Sequence, residues 1–132
     1  MSQAKILVID DDEGMTELLS LLLAPASSEI IIANSGSNGV DLVKKHDPDV
    51  IILDLMMPEM NGWSFCQEIR AFSRVPILIL SALDSPGAVA QALDVGADDY
   101  LVKPVSSSTL IAHLNNLLRR RAKSPQVSSA SK

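Results

Sequence analysis

The feature that most constrains this chain is a recurrence of short apolar runs rich in β-branched residues. They are "KILVID" (5–10), "EIIIA" (29–33), "DVIILD" (49–54) and "PILILS" (76–81), with a weaker fifth, "YLVKP" (100–104). Most are continuously apolar, as expected for strands covered on both faces of a parallel sheet; a strand wet on one side would alternate. Segments with helical spacing separate them, at 14–24, 37–46, 63–72, 87–96 and 106–121. Asp12 and Glu13 open the first helix, where negative charge suits the helix dipole. The last helix has serines available as N-cap and arginines in its final turn. Strand and helix thus alternate five times, which predicts a doubly wound α/β domain with right-handed crossovers.

With 132 residues, 47% of them hydrophobic, the chain is long enough for one domain with a real core. A net charge of −5 disfavours non-specific attraction to nucleic acid or an anionic membrane, and suits a metal cation or a basic partner patch better. Cys66 is the only cysteine, so an intramolecular disulfide is excluded. The apolar runs fall far short of the roughly 18 residues a membrane span needs. No signal peptide opens the sequence, and the expected setting is soluble and cytoplasmic. The small, polar segment 122–132 reads as a flexible tail or the start of a linker, leaving 1–121 as the folded domain.

Ligands of open α/β sheets bind beyond the carboxyl ends of the strands. The first strand ends in Asp10, Asp11 and Asp12, the third in Asp54, the fourth in Ser81 and the fifth in Lys103 with Pro104. If the first and third strands are neighbours, several carboxylates converge, and like charges so close call for a cation. A few carboxylates with water and a phosphate are the usual ligands of Mg²⁺. Lys103 adds a positive charge and Ser81 a hydroxyl, a combination suited to a phosphoryl group. Each residue alone has a plainer reading, as a helix cap, a turn former or a loop lysine. Their joint occurrence along one edge favours the phosphoryl site.

"ILVIDDDE", "IILDLMMPEMNG", "ILILSA" and "GADDYLVKPV", in that order over about residues 4–121, resemble the receiver domain of two-component response regulators. The resemblance implies a flavodoxin-like (βα)5 sandwich, its five-stranded parallel sheet in the order 2-1-3-4-5. It implies that Asp54 accepts a phosphoryl group from a sensor histidine kinase or a phosphotransfer protein, and that the chain is no enzyme beyond its own phosphorylation and dephosphorylation. Asp10, Asp11, Asp54 and the main-chain carbonyl of Met56 would hold Mg²⁺, with Mn²⁺ as a substitute, and Asp12 would start the first helix. Lys103 would contact the phosphoryl group, while Ser81 and Tyr100 would be the switch pair. Their movement would reshape the face made by the fourth helix, fifth strand and fifth helix, which would control an output domain or protein partner.

By the same resemblance, Met56 and Leu83 occupy positions that govern access of water to the phosphoryl group. Neither can orient water by a hydrogen bond, and a long-lived phosphorylated state is expected. "ALDVGADDY" and the closing "LLRRRAKSPQ" are similar to regulators that continue into a winged-helix, DNA-binding output domain, implying a role in transcription. Those relatives form homodimers through charged pairs. Here Asp98 and Asp99 are kept, but Val89 and His113 stand where basic residues are expected, and an apolar surface at Ala88, Val89 and Ala92 suits a different partner as well as the same dimer. His46 and His113 read as surface residues, Cys66 as packing, Trp63 as either packing or partly exposed, and Met56, Met57 and Met60 as a docking loop for the kinase or as partly buried. Three rivals remain: an aspartyl metal-dependent phosphatase, which would want an acid at Met56; a flavodoxin-like cofactor binder, which would want a phosphate loop in place of "DDDEG"; and a phosphorylation-independent interaction module.

Overall fold

The structure is a computed structural model that describes residues 4–57 and 60–130, without the side chains of residues 28, 37, 60 and 122–130. Five strands, β1 (Ala4–Ile9), β2 (Ser27–Ala33), β3 (Val50–Leu53), β4 (Ile77–Ser81) and β5 (Asp99–Val102), form one parallel sheet in the order β2-β1-β3-β4-β5. The order and fold agree with the sequence reading. The helices are α1 (Glu13–Leu23), α2 (Gly36–His46), α3 (Gly62–Arg70), α4 (Pro86–Asp94) and α5 (Ser107–Ala130). The helical backbone of α5 runs on beyond Arg121, over most of the segment expected as a tail. A 3-10 turn at Ala24–Ala26 and a small antiparallel ribbon pairing Met56–Met57 with Met60–Asn61 complete the described elements.

Side chains alternate across each strand, so the apolar runs feed two cores. Leu7, Ile9, Ile51, Leu53, Ile77 and Ile79 pack with Phe65, Cys66 and Ile69 of α3, while Ile6, Val8, Val50, Ile52, Leu78 and Leu80 pack with Leu19 and Leu23 of α1 and Leu110, Leu114 and Leu117 of α5. β1 and β3, at the centre, are buried on both faces, which is why their sequences show no polar alternation. The helix starts follow capping chemistry. The side chains of Asp12, Ser35, Asn61 and Ser85 accept backbone N–H groups at the starts of α1, α2, α3 and α4. Asp12 therefore has the role expected of it.

Candidate functional site

The register of the sheet builds the site. Ile9 pairs with Leu53, and the chain leaves both strands with a carboxylate, Asp10 from β1 and Asp54 from β3. The Asp54 N–H donates to the Ile9 carbonyl at 3.0 Å and that of Asp10 to the Ala33 carbonyl at 3.1 Å, so neither backbone is free to drift. Ser81 pairs with Val102, and the Lys103 N–H donates to the Ser81 carbonyl at 2.9 Å, which sets the lysine at the same edge.

Three of these strand ends turn by the same local device. The Asp12 N–H donates to Asp10 Oδ1 at 3.0 Å, the Met56 N–H to Asp54 Oδ1 at 3.0 Å, and the Leu83 N–H to Ser81 Oγ at 3.3 Å. Side chains that satisfy the backbone two residues on make a tight turn with no helical or strand continuation. In both acids the turn occupies one oxygen and leaves Oδ2 to Lys103, whose Nζ lies 3.2 Å from Asp10 Oδ2 and 3.2 Å from Asp54 Oδ2.

Asp10, Asp54 and Ser81 are buried and Asp11 is exposed, yet oxygens of Asp10, Asp11 and Asp54 all lie within 4.8 Å of one another. Burial raises the Asp10 carboxyl above its ordinary value, and the nearby Asp54 charge adds to this against the Asp12 N–H and Lys103. Burial by itself would depress the Lys103 ammonium, but the charges of Asp54 and Asp10 outweigh it and the net shift is upward. Three carboxylates and one ammonium leave two negative charges at this edge, and hard oxygen donors in that balance fit a divalent cation of the Mg²⁺ type.

Tyr100 packs half-buried against the core, its O–H donating to the Leu83 carbonyl at 2.8 Å, and burial pushes its phenol up. It thus touches the loop that follows Ser81. Met56 has an exposed side chain, whereas Leu83 is packed against the core. Trp63 is half-buried with its indole N–H enclosed and without a partner among the described residues, Cys66 is fully buried with its thiol pushed up to about 11, and Met57 is buried. The side chain of Met60 lies outside the described residues.

Other groups escaped the sequence reading. Asn34, at the end of β2, donates its amide to the Asp10 carbonyl at 3.0 Å; reading strand ends would have found it had β2 been included. His113 is no plain surface residue, since its Nδ1 lies 2.5 Å from Asp99 Oδ2 and ties α5 to β5. Arg70 binds Asp98 at 2.8 Å and also the carbonyls of Gly96, Ser73 and Val75, while Asp98 Oδ2 accepts the Ile77 N–H. Asp98 and Asp99, expected to serve charged pairs between copies, are therefore engaged within the domain.

The doubly wound sheet gathers buried acids, a lysine and a hydroxyl at its carboxyl edge, where open α/β sheets bind their ligands. The chain belongs to the response regulator receiver domain family, whose profile matches residues 6–115. Relatives include the probable transcriptional regulator ycf27 of Porphyridium aerugineum, 40% identical over 120 residues (91% of this chain and 50% of that protein). That of Porphyra purpurea is 40% identical over 119 residues (90% and 49%). The chain spans about half the length of the curated relatives it matches. Among solved structures, the receiver domain of the Francisella response regulator 1452 superposes with a TM-score of 0.84 at 34% identity, covering 90% of this chain and 99% of that one. The Vibrio cholerae chemotaxis protein CheY4 gives 0.80 at 33% identity, covering 88% and 99%. Among the described residues no helix is long and apolar enough to cross a membrane.

Proposed function

We propose that the domain is a phosphorylation-controlled signalling switch in which Asp54 takes a phosphoryl group from the phosphohistidine of a sensor histidine kinase or a phosphotransfer protein. The observation that carries the reading is the grouping of Asp54 with Asp10, Asp11 and Lys103 at one strand edge. An Asp54 carboxylate oxygen attacks phosphorus as the bond to the nitrogen of a phosphohistidine protonated on its other ring nitrogen breaks, leaving an acyl phosphate and a neutral imidazole that keeps that proton. Phosphoryl transfer asks little of a protein beyond an in-line nucleophile and charge neutralisation. The buried end of β3 fixes the nucleophile, and Lys103 exchanges its contact with the free carboxylate for one with the phosphoryl oxygens. Asp10, Asp11, Asp54 and the main-chain carbonyl of Met56 would hold Mg²⁺ or, in substitution, Mn²⁺. The bound ion would supply positive charge to those same oxygens.

The added charge and oxygens seek new partners. Ser81 is a hydroxyl at the end of the neighbouring strand β4, and its turn holds Leu83, whose carbonyl holds Tyr100. Movement of Ser81 therefore releases Tyr100 and reshapes the face of α4, β5 and α5, which acts on an output domain or partner, with transcription as its end point. Homodimerisation through that face would require Asp98 and Asp99 to leave Arg70 and His113. The exposed, apolar Met56 disfavours a phosphatase, which needs an acid there.

Trp63, next to Asn61 at the start of α3, reports the state of the loop after Asp54. Beryllofluoride with Mg²⁺ is expected to change its fluorescence, and Asp54→Ala to abolish the change. A response that persists in the variant, or none in the unaltered chain, would favour a phosphorylation-independent module.

A further inference from the structure

Every polar group of Asp10 has a partner. Its N–H donates to the Ala33 carbonyl at 3.1 Å, its Oδ1 accepts the Asp12 N–H at 3.0 Å, and its Oδ2 faces Lys103 Nζ at 3.2 Å. The main-chain carbonyl accepts from Asn34 Nδ2 at 3.0 Å, across 24 residues of chain. This last bond stands in for a sheet bond. The pairing of β1 with β2 ends at Ile9 with Ala33, and a parallel ladder would next supply a backbone N–H from β2. The chain turns off there instead, since Ser35 caps α2. The Asn34 side chain thus carries the ladder one carbonyl further than the strand itself reaches.

The bonded carbonyl belongs to the peptide unit that joins Asp10 to Asp11. That unit is planar, so fixing its C=O also fixes the direction in which the chain enters Asp11. Burial holds the Asp10 side chain, but Asp11 is exposed and packing does little to steer it, although its carboxylate comes within 4.8 Å of those of Asp10 and Asp54. Asn34 is itself exposed and belongs to neither core, so its amide has no packing duty. A hydrogen bond from outside the ligand set that orients the ligands is a common way of tuning a metal site.

We propose that Asn34 is a positioning residue for the cation site, its amide holding the Asp10–Asp11 peptide so that both carboxylates meet Mg²⁺ in one arrangement. This rests on the proposed assignment of Mg²⁺ to Asp10, Asp11 and Asp54. Titration of the full chain with MgCl₂, followed by Trp63 fluorescence and by melting temperature, tests it. Asn34→Ala, folded like the unaltered chain by circular dichroism in EDTA, should need about tenfold more Mg²⁺ for half-saturation. At saturating Mg²⁺ its phosphorylation by acetyl phosphate should match that of the unaltered chain, because what positioning loses in affinity mass action restores. Asn34→Asp keeps the side-chain size but turns an acceptor toward the Asp10 carbonyl. It should also weaken Mg²⁺ binding, whereas its added negative charge alone would strengthen it. Asn38→Ala, one turn into α2, should bind Mg²⁺ as the unaltered chain does. Equal Mg²⁺ affinity in Asn34→Ala and the unaltered chain overturns the proposal, as does tighter binding by Asn34→Asp. So does a loss in Asn38→Ala as large as that in Asn34→Ala, or a phosphorylation defect that saturating Mg²⁺ leaves in place. Absence of Mg²⁺ binding by the unaltered chain would refute the cation site itself, and the role of Asn34 with it.

Discussion

Lys103→Met removes the cation that touches both buried carboxylates of the site. In the structure Nζ is 3.2 Å from Asp10 Oδ2 and from Asp54 Oδ2, and the lysine side chain is 17% exposed. At an effective dielectric constant of about 20, each contact is worth about 5 kcal/mol of Coulomb attraction, while carboxylate oxygens within 4.8 Å of each other repel by about 3 kcal/mol. The desolvation of the ammonium and its partial exposure offset most of the attraction, so the net loss is set at about 2–3 kcal/mol in EDTA. A domain of this size would melt roughly 8–12 °C lower. Lys103 has a raised pKa when folded, so its contribution is fully present below the unfolded value of 10.5 and is lost as pH rises through the higher folded value; the deficit of the variant should therefore be undiminished at neutral pH. Thermal and urea unfolding are then repeated in Mg²⁺. With the competing cation gone, the acids should take the ion more tightly, and the variant should regain stability that the unaltered chain gains less of. Equal stability of the two chains in EDTA would refute the electrostatic account. An identical deficit with and without Mg²⁺ would refute the assignment of the metal to these acids.

Gly62→Ala should lower stability by about 1–3 kcal/mol, read as a shift in urea midpoint at constant slope, because a Cβ there would meet Leu55 Cα at 2.8 Å and Leu55 Cδ2 at 2.6 Å. Cys66 should resist a thiol reagent until the domain unfolds. Its thiol titrates at about 11 against an ordinary 9.0, so stability is full below pH 9.0 and falls by up to about 3 kcal/mol as pH rises through 11, a loss that Cys66→Ala removes. The phosphorylated state should be long-lived, since Met56 and Leu83 hold no water by hydrogen bonds. Met56→Asn should shorten the half-life measured by phosphoprotein decay in Mg²⁺ buffer, and a half-life of seconds in the unaltered chain would contradict the reasoning.

The sheet could be read from the sequence because its strands are covered on both faces, as "VIIL" (50–53) shows without a polar residue. The acids, Lys103 and Ser81 were legible for a related reason: a parallel sheet carries every strand end to one edge, and the register does the rest. Local pattern failed where contacts are distant. Arg70 and Asp98 are 28 residues apart and His113 and Asp99 are 14 apart, and each pair depends on how a helix is rotated against β5. The β2 start at Ser27 was missed because pairing with Ala4 recruits polar residues into the strand. The Met56–Met57 ribbon is too short to have a period, and is set by the close approach of Gly62 to Leu55.

The central claim is that Asp54 is the phosphoacceptor and that its acidic neighbours make the reaction metal-dependent. Intact-mass and peptide mass spectrometry after incubation with acetyl phosphate tests this most directly. The account predicts one added phosphoryl group on Asp54, formed in Mg²⁺ or Mn²⁺, absent in EDTA and absent in Asp54→Asn. A phosphoryl group on another residue, or none under any metal condition, would contradict it.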